Sequence, residues 1–330
     1  MAKAVYSWIQ KGLISSKDQY EALIQAGERA SPAAWRVFIE RVLVMLGLLS
    51  LACGVVFFFA YNWNEISRFY KFLTLQVLLV AVVSAYLKWA KNHWLQQAMM
   101  ITAALVLGAL LALFGQTYQT GADPWQLFAT WALLITPWVW LSRAEAMWIF
   151  WAVLLNTALI LKFEVDRSLL GWSLSQHQVS WAFLLLNGLL LCVTEWVSLD
   201  WRGFLKRVRL QDRWAALVMG LMVLFVLTTI GLLGIWGDQS VRAASLLTFL
   251  VVMAIWFYVY RFIKKDLLLL TAWAMAVIVF ILSLLANSVF DSFDAGGLLL
   301  MAISLIAMTT FAVSWIKKTH GVFKQESSHE

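Results

Sequence analysis

Three short stretches concentrate the side chains that could do polar chemistry. The first is Tyr61-Asn62-Trp63-Asn64-Glu65, followed by Ser67 and Arg68. The second runs from Gly115 to Trp125 and reads Gly-Gln-Thr-Tyr-Gln-Thr-Gly-Ala-Asp-Pro-Trp, with no Lys or Arg. The third, Asn287 to Gly297, carries Asp291 and Asp294. The first two nominate Asn62, Trp63, Asn64, Glu65, Arg68, Gln116, Tyr118, Gln119, Asp123 and Trp125 as a ligand-binding set. In it, Glu65 and Asp123 could take a cation, a proton or the hydroxyls of a head group. Ionisable groups at membrane depth are functional candidates by default. A structural role competes at each position. Asp123 precedes Pro124 and suits a helix N-cap with proline at N1. Glu65 lies within reach of Arg68, and the amides could satisfy backbone groups at helix ends.

Signatures of catalysis are absent. His93, His177, His320 and His329 are scattered, without the His-Glu-x-x-His spacing of a zinc protease. There is no nucleophile elbow, phosphate-binding Gly-Lys-Ser/Thr loop or dinucleotide fingerprint. Cys53 and Cys192 both sit in apolar runs, which supports neither a disulfide framework nor a zinc site. The reading therefore assigns no catalytic residue, no metal and no cofactor. An intramembrane transferase would have only Glu65, Asp123 and Tyr118 to draw on. Among polar residues inside apolar runs, Asn156, Asn187 and Gln76 are explained by interhelical hydrogen bonds. Glu195 is expected to snorkel toward Lys206, Arg207 and Arg209.

The elements that would position these residues follow from composition. Of 330 residues, 62% are apolar and only 13% charged, and the mean hydropathy is +0.79. A soluble domain carries about a quarter charged residues, so this chain cannot cover a soluble surface. Ten apolar runs have helical length: roughly 42–61, 72–90, 97–115, 125–142, 146–163, 179–198, 214–236, 243–262, 267–287 and 296–316. A bilayer crossing needs about 20 residues, and the alternating ten-residue pattern of a membrane β-barrel is missing. The fold class is an all-α, polytopic helical membrane protein with about ten transmembrane helices. Twenty of the 25 Lys and Arg fall on one side of that topology, which places both termini in the cytoplasm. The net charge of +7 is then an orientation signal, and no basic stripe interleaved with stacking aromatics points to nucleic acid.

The domain reading gives a cytoplasmic helical hairpin over 1–40, a four-span unit over 41–145 and a connector pair over 146–198. A second four-span unit over 199–316 and a cytoplasmic tail over 317–330 follow. Ser16-Lys17-Asp18-Gln19 fits a capping box, and Ser31-Pro32 an N-cap with N1 proline. A shift of 173 residues places Gly47 on Gly220, Trp63 on Trp236, Glu65 on Asp238 and Lys88 on Arg261. This suggests a parallel four-helix repeat of the kind seen in transporters.

The run Phe57 to Glu65 with Ser67-Arg68 and Lys71-Phe72, together with Gly115 to Gly121 and Asp123 to Phe128, resembles the signature of a bacterial family. The segment Trp8 to Leu23, with Gly12-Leu13-Ile14-Ser15, adds to the likeness. The family is the predicted-membrane-protein family called domain of unknown function twenty-one fifty-seven. The resemblance implies a multi-pass protein of the bacterial inner membrane. It also implies a partner, a small membrane-anchored protein with a Gly-Asp-Tyr motif encoded beside it. It supplies no activity. The function expected is a transporter or lipid-handling protein with an outward-facing polar pocket and membrane lipids as partners. The alternative is a non-catalytic scaffold or sensor acting through a partner protein.

Overall fold

The computed structural model describes residues 5, 7–9, 11–26, 29–61, 67–89, 93–119, 121–142, 144–169, 172–198, 213–289 and 295–326. Among the described residues it is helical apart from turns, short connections and one two-stranded hairpin. In chain order the helices are α1 (Gln19–Gln25), α2 (Pro32–Tyr61), α3 (Arg68–Trp89), α4 (His93–Tyr118), α5 (Pro124–Ser142) and α6 (Glu145–Val165). They continue with α7 (Gln176–Ser198), α8 (Trp214–Trp236), α9 (Gln239–Tyr258), α10 (Leu267–Val289) and α11 (Ala295–Glu326). A π-helical turn, Val259–Ile263, extends α9, and strands β1 (Ser168–Leu169) and β2 (Trp172–Ser173) pair antiparallel between α6 and α7.

Each of the ten apolar runs is a helix, α2 to α11. Among the described residues, eight of these helices are long and apolar enough to cross a membrane. The other two are α2, with 30 residues, and α5, a 19-residue helix that carries four tryptophans and an internal Pro137. At about 1.5 Å per residue, α5 still spans about 28 Å. The chain is an all-α polytopic membrane protein.

Packing divides the chain into two compact units, residues 1–113 and 114–330. In the first, Leu75, Val106 and Leu113 form a small core with Phe72, Leu78 and Leu110. Its amino-terminal segment closes a helical turn at Gly12 (φ +68°), where Gly12 and Leu13 donate to the carbonyls of Ile9 and Trp8. This is a Schellman closure, and it requires the left-handed conformation glycine adopts freely. The Ser16 capping box does not form. The Ser15 carbonyl takes the N–H groups of both Asp18 and Gln19, turning the chain before α1 opens with Asp18 at its N-cap. The Ser31-Pro32 start does form: Ser31 Oγ accepts the Ala34 N–H at 3.1 Å.

The second unit is built around α8, which packs against α6, α7, α9 and α10. The α8 glycines let α9 and α10 come close. A Cβ on Gly231 would stand 2.7 Å from the Phe249 ring, and one on Gly220 2.8 Å from Leu269. With no hydrophobic drive between helices in a bilayer, such close contact supplies much of the association energy. Phe249 in turn stacks on Phe280 with ring centroids 4.3 Å apart. The final helix α11 continues past Lys317 and Lys318 to Glu326.

Candidate functional site

Asn62, Trp63, Asn64 and Glu65 lie outside the described residues, as do Asp291 and Asp294. Arg68 opens α3 and is exposed. Gln116 and Tyr118 are exposed on the last turn of α4, and Gln119 follows in the left-handed region at φ +44°. Tyr118 packs on Phe114, with centroids 4.8 Å apart. Asp123 and Trp125 are brought together: the indole Nε1 donates to Asp123 Oδ2 at 3.3 Å where α5 begins. The carboxylate thus holds the first-turn tryptophan, while Gln126 N–H goes to the Asp123 backbone carbonyl.

Trp125 is also one wall of a trough that the motifs did not foretell. It lies between α5, α6 and α7 and has a volume of about 640 Å³. Away from the helix ends it is apolar, lined by Ala129, Leu155, Ala158, Leu159, Ala182, Leu186 and the outward-facing Leu185. Its mouth is polar and amphipathic: Trp125, Lys162, Ser168, Gln178 and Trp181. Helix α6 ends there, so Lys162 projects into the mouth. Its ammonium lies 5.5 Å from the centroid of the Trp125 ring and 2.9 Å from Asp166 Oδ2. Ser168 Oγ also donates to Asp166 Oδ2. That hydrogen bond first, and then Lys162, hold the exposed Asp166 carboxyl below its ordinary value of 3.8. On the α7 side a capping box sets the geometry. Gln178 Oε1 accepts the Ser175 N–H at 2.9 Å, and Ser175 Oγ accepts the Gln178 N–H at 3.4 Å.

At the opposite end of the same unit the polar groups close instead of opening. Lys206, Arg207 and Arg209, toward which Glu195 is expected to snorkel, lie outside the described residues; among the described ones Glu195, near the end of α7, has two cationic partners. Arg213 Nη2 donates to its Oε1 at 2.7 Å, and Lys264 Nζ lies 2.9 Å from Oε2 as an ion-pair contact. Tyr260 OH reaches Oε1 at 3.5 Å. Arg213 also pairs with Asp266 Oδ2 at 3.1 Å, while Asp266 Oδ1 caps α10 through Leu268 and Leu269. Nearby, Glu145 is buried and accepts the Ala215 N–H at the start of α8, 3.0 Å away. The carboxyl oxygen there meets the N–H groups that open the helix.

Midway between the ends, Asn156 and Asn187 form a reciprocal amide pair across α6 and α7, with bonds of 3.1 and 2.9 Å. These are the interhelical bonds expected of them; Gln76 is exposed on α3. Among the described residues, no group of three His, Cys, Asp or Glu side chains is placed to hold a metal ion.

Residues 6–148 match the family model described as predicted membrane protein (DUF2157). The family resemblance carried by the Tyr61–Arg68 and Gly115–Phe128 motifs thus holds over that segment. Asp123, Trp125 and the α5 wall of the trough lie inside the DUF2157 match, whereas Lys162, Ser168, Gln178 and Trp181 lie beyond it. No curated protein and no solved structure matches the chain.

Proposed function

We propose that this multi-pass membrane protein handles lipid, seating the chains of one membrane lipid in the trough between α5, α6 and α7. The observation that carries this reading is the pairing of an apolar lining with a polar, tryptophan-flanked mouth in one space of about 640 Å³. That volume lies within the range of ordinary ligand pockets, roughly 300–1,000 Å³. A lipid chain gains nothing hydrophobic by leaving the bilayer for an apolar wall. Selectivity must therefore come from the head group and from packing. Lys162 has three N–H donors and gives two to Asp166, one to Oδ2 and one to the backbone carbonyl, so one remains for a phosphate. Trp125 and Trp181 sit where indoles favour the interface between chains and head groups. With both termini in the cytoplasm, as the Lys and Arg distribution directs, the mouth meets the outer leaflet of a bacterial inner membrane.

Native mass spectrometry of the protein released from nanodiscs of phosphatidylethanolamine and phosphatidylglycerol tests the reading. The wild type should retain one phospholipid. Ala182→Phe, which fills the trough, should lose it while remaining folded. Equal retention by both proteins, or none by either, overturns lipid seating; the second result would return attention to a scaffold acting through a partner protein.

A further inference from the structure

We infer that a second cavity, at mid-membrane depth between α6, α7 and α8, binds a neutral, bilayer-soluble molecule bearing a phenolic or alcoholic hydroxyl. The cavity has a volume of about 450 Å³ and is separate in its lining from the trough. Asn156 and Asn187 stand at its wall, near the midpoints of α6 and α7. It opens sideways between α6 and α8, where Val153 and Phe225 are 49% and 71% exposed. A ligand would therefore enter from the lipid, not from water.

The hydrogen-bond inventory selects the ligand. Asn156 Nδ2 donates to the Ala152 carbonyl, and Asn187 Nδ2 donates to the Phe183 carbonyl. Each Nδ2 gives its other proton to the partner amide. These bonds fix which way both amides face and use up all four N–H donors. Each Oδ1 accepts one bond and can accept another. Thr157 and Thr229 likewise spend their hydroxyl protons on the carbonyls of Val153 and Phe225, leaving acceptor oxygens. Ser180 is the remaining hydroxyl in the lining. The wall is thus rich in acceptors and poor in donors. A hydroxyl suits it, giving its proton to an Asn oxygen. No ionisable side chain is among the lining residues, so a charged ligand would be unpaired at this depth.

The test uses the full chain in phosphatidylcholine nanodiscs under anaerobic conditions. The probes are tetramethylhydroquinone and its dimethyl ether, which has the same ring but no donor. Saturation-transfer NMR against empty nanodiscs reads binding. The hydroquinone should bind saturably, and the ether about tenfold more weakly, the value of one net hydrogen bond at the upper end of its range. Asn156→Leu with Asn187→Leu removes both partners together and should bring the two probes level. If that double variant does not fold, Met222→Trp, which fills the cavity from α8, must abolish hydroquinone binding. Equal binding of both probes to the wild type, or no saturable binding, overturns the inference. Neither result bears on lipid seating in the trough.

Discussion

The two ends of the 114–330 unit use the same kinds of residue to opposite effect. At one end Glu195, Arg213, Lys264 and Asp266 tie together the end of α7, the start of α8 and the connection from α9 to α10. At the other, Lys162 pairs with Asp166 four residues away and Asp123 with Trp125 two residues away. Around the trough the difference is the reach of the pairs; a long-range bond at that end, Trp236 Nε1 to Ser283 Oγ, joins α8 to α10 and not the trough helices. Bonds between distant parts of the chain weld helix ends and bury their acids: the Glu195 and Asp266 side chains are 13% and 12% exposed. Bonds within one turn or loop pose a side chain but hold no two helices together, and Asp166 is 55% exposed. Local pairing leaves the space between α5, α6 and α7 open. The polar groups around it are positioned yet still have capacity for a ligand.

The largest way to break this contrast is at the welded end. Glu195→Leu leaves Arg213 and Lys264 without their shared carboxylate and should cost about 2–4 kcal/mol, somewhat under the value for a fully buried pair. Chemical unfolding in mixed micelles measures it. Gly231→Ala disturbs α8 beneath both ends by pressing a methyl group on the Phe249 ring. It should cost about 1–3 kcal/mol by the same assay, the usual price of overpacking. Lys162→Gln, at the open end, should cost no more than about 0.5 kcal/mol, as for other exposed i,i+4 pairs. It should nevertheless reduce phospholipid retention several-fold in native mass spectrometry.

The smallest effect concerns pH. Because Asp166 is held below its ordinary value of 3.8, its pairing contributes stability that is fully present above that value. The contribution is lost as pH falls through the lowered value. Ser168→Ala removes the leading cause and should move the Asp166 carboxyl titration upward, followed by its carboxyl carbon chemical shift.

Much of this architecture was legible in the chain. Long uncharged runs such as Val42 to Ala60 can only be helices in a bilayer, and every such run is one. The interhelical bonding of Asn156 and Asn187 was legible too, since an amide in the middle of an apolar run seeks a partner, whereas Gln76, read the same way, is exposed on α3. Local signals were less decisive. Ser16-x-x-Gln19 and Ser175-x-x-Gln178 have the same spacing, yet only the second closes a capping box. In the first, the Ser15 carbonyl captures the Gln19 N–H that the box would use. The partners of Glu195 were beyond reach of the pattern, because Arg213 and Lys264 are brought to it by packing around α8 and not by adjacency. The trough mouth failed to show for the same reason. Trp125 stood in a recognisable motif, but Lys162, Ser168 and Gln178 come from other elements and carry no motif of their own.

The most direct measurement compares the two ends on a single helix. Trp181, at the trough mouth, and Trp196, near the welded end, both lie on α7. Each is replaced in turn by photoreactive benzoylphenylalanine, and the protein is delipidated in detergent before irradiation. Lipid seating predicts a phospholipid adduct retained at Trp181 and absent at Trp196, where only exchangeable bulk lipid is met. Adducts at both positions, or at neither, would contradict it.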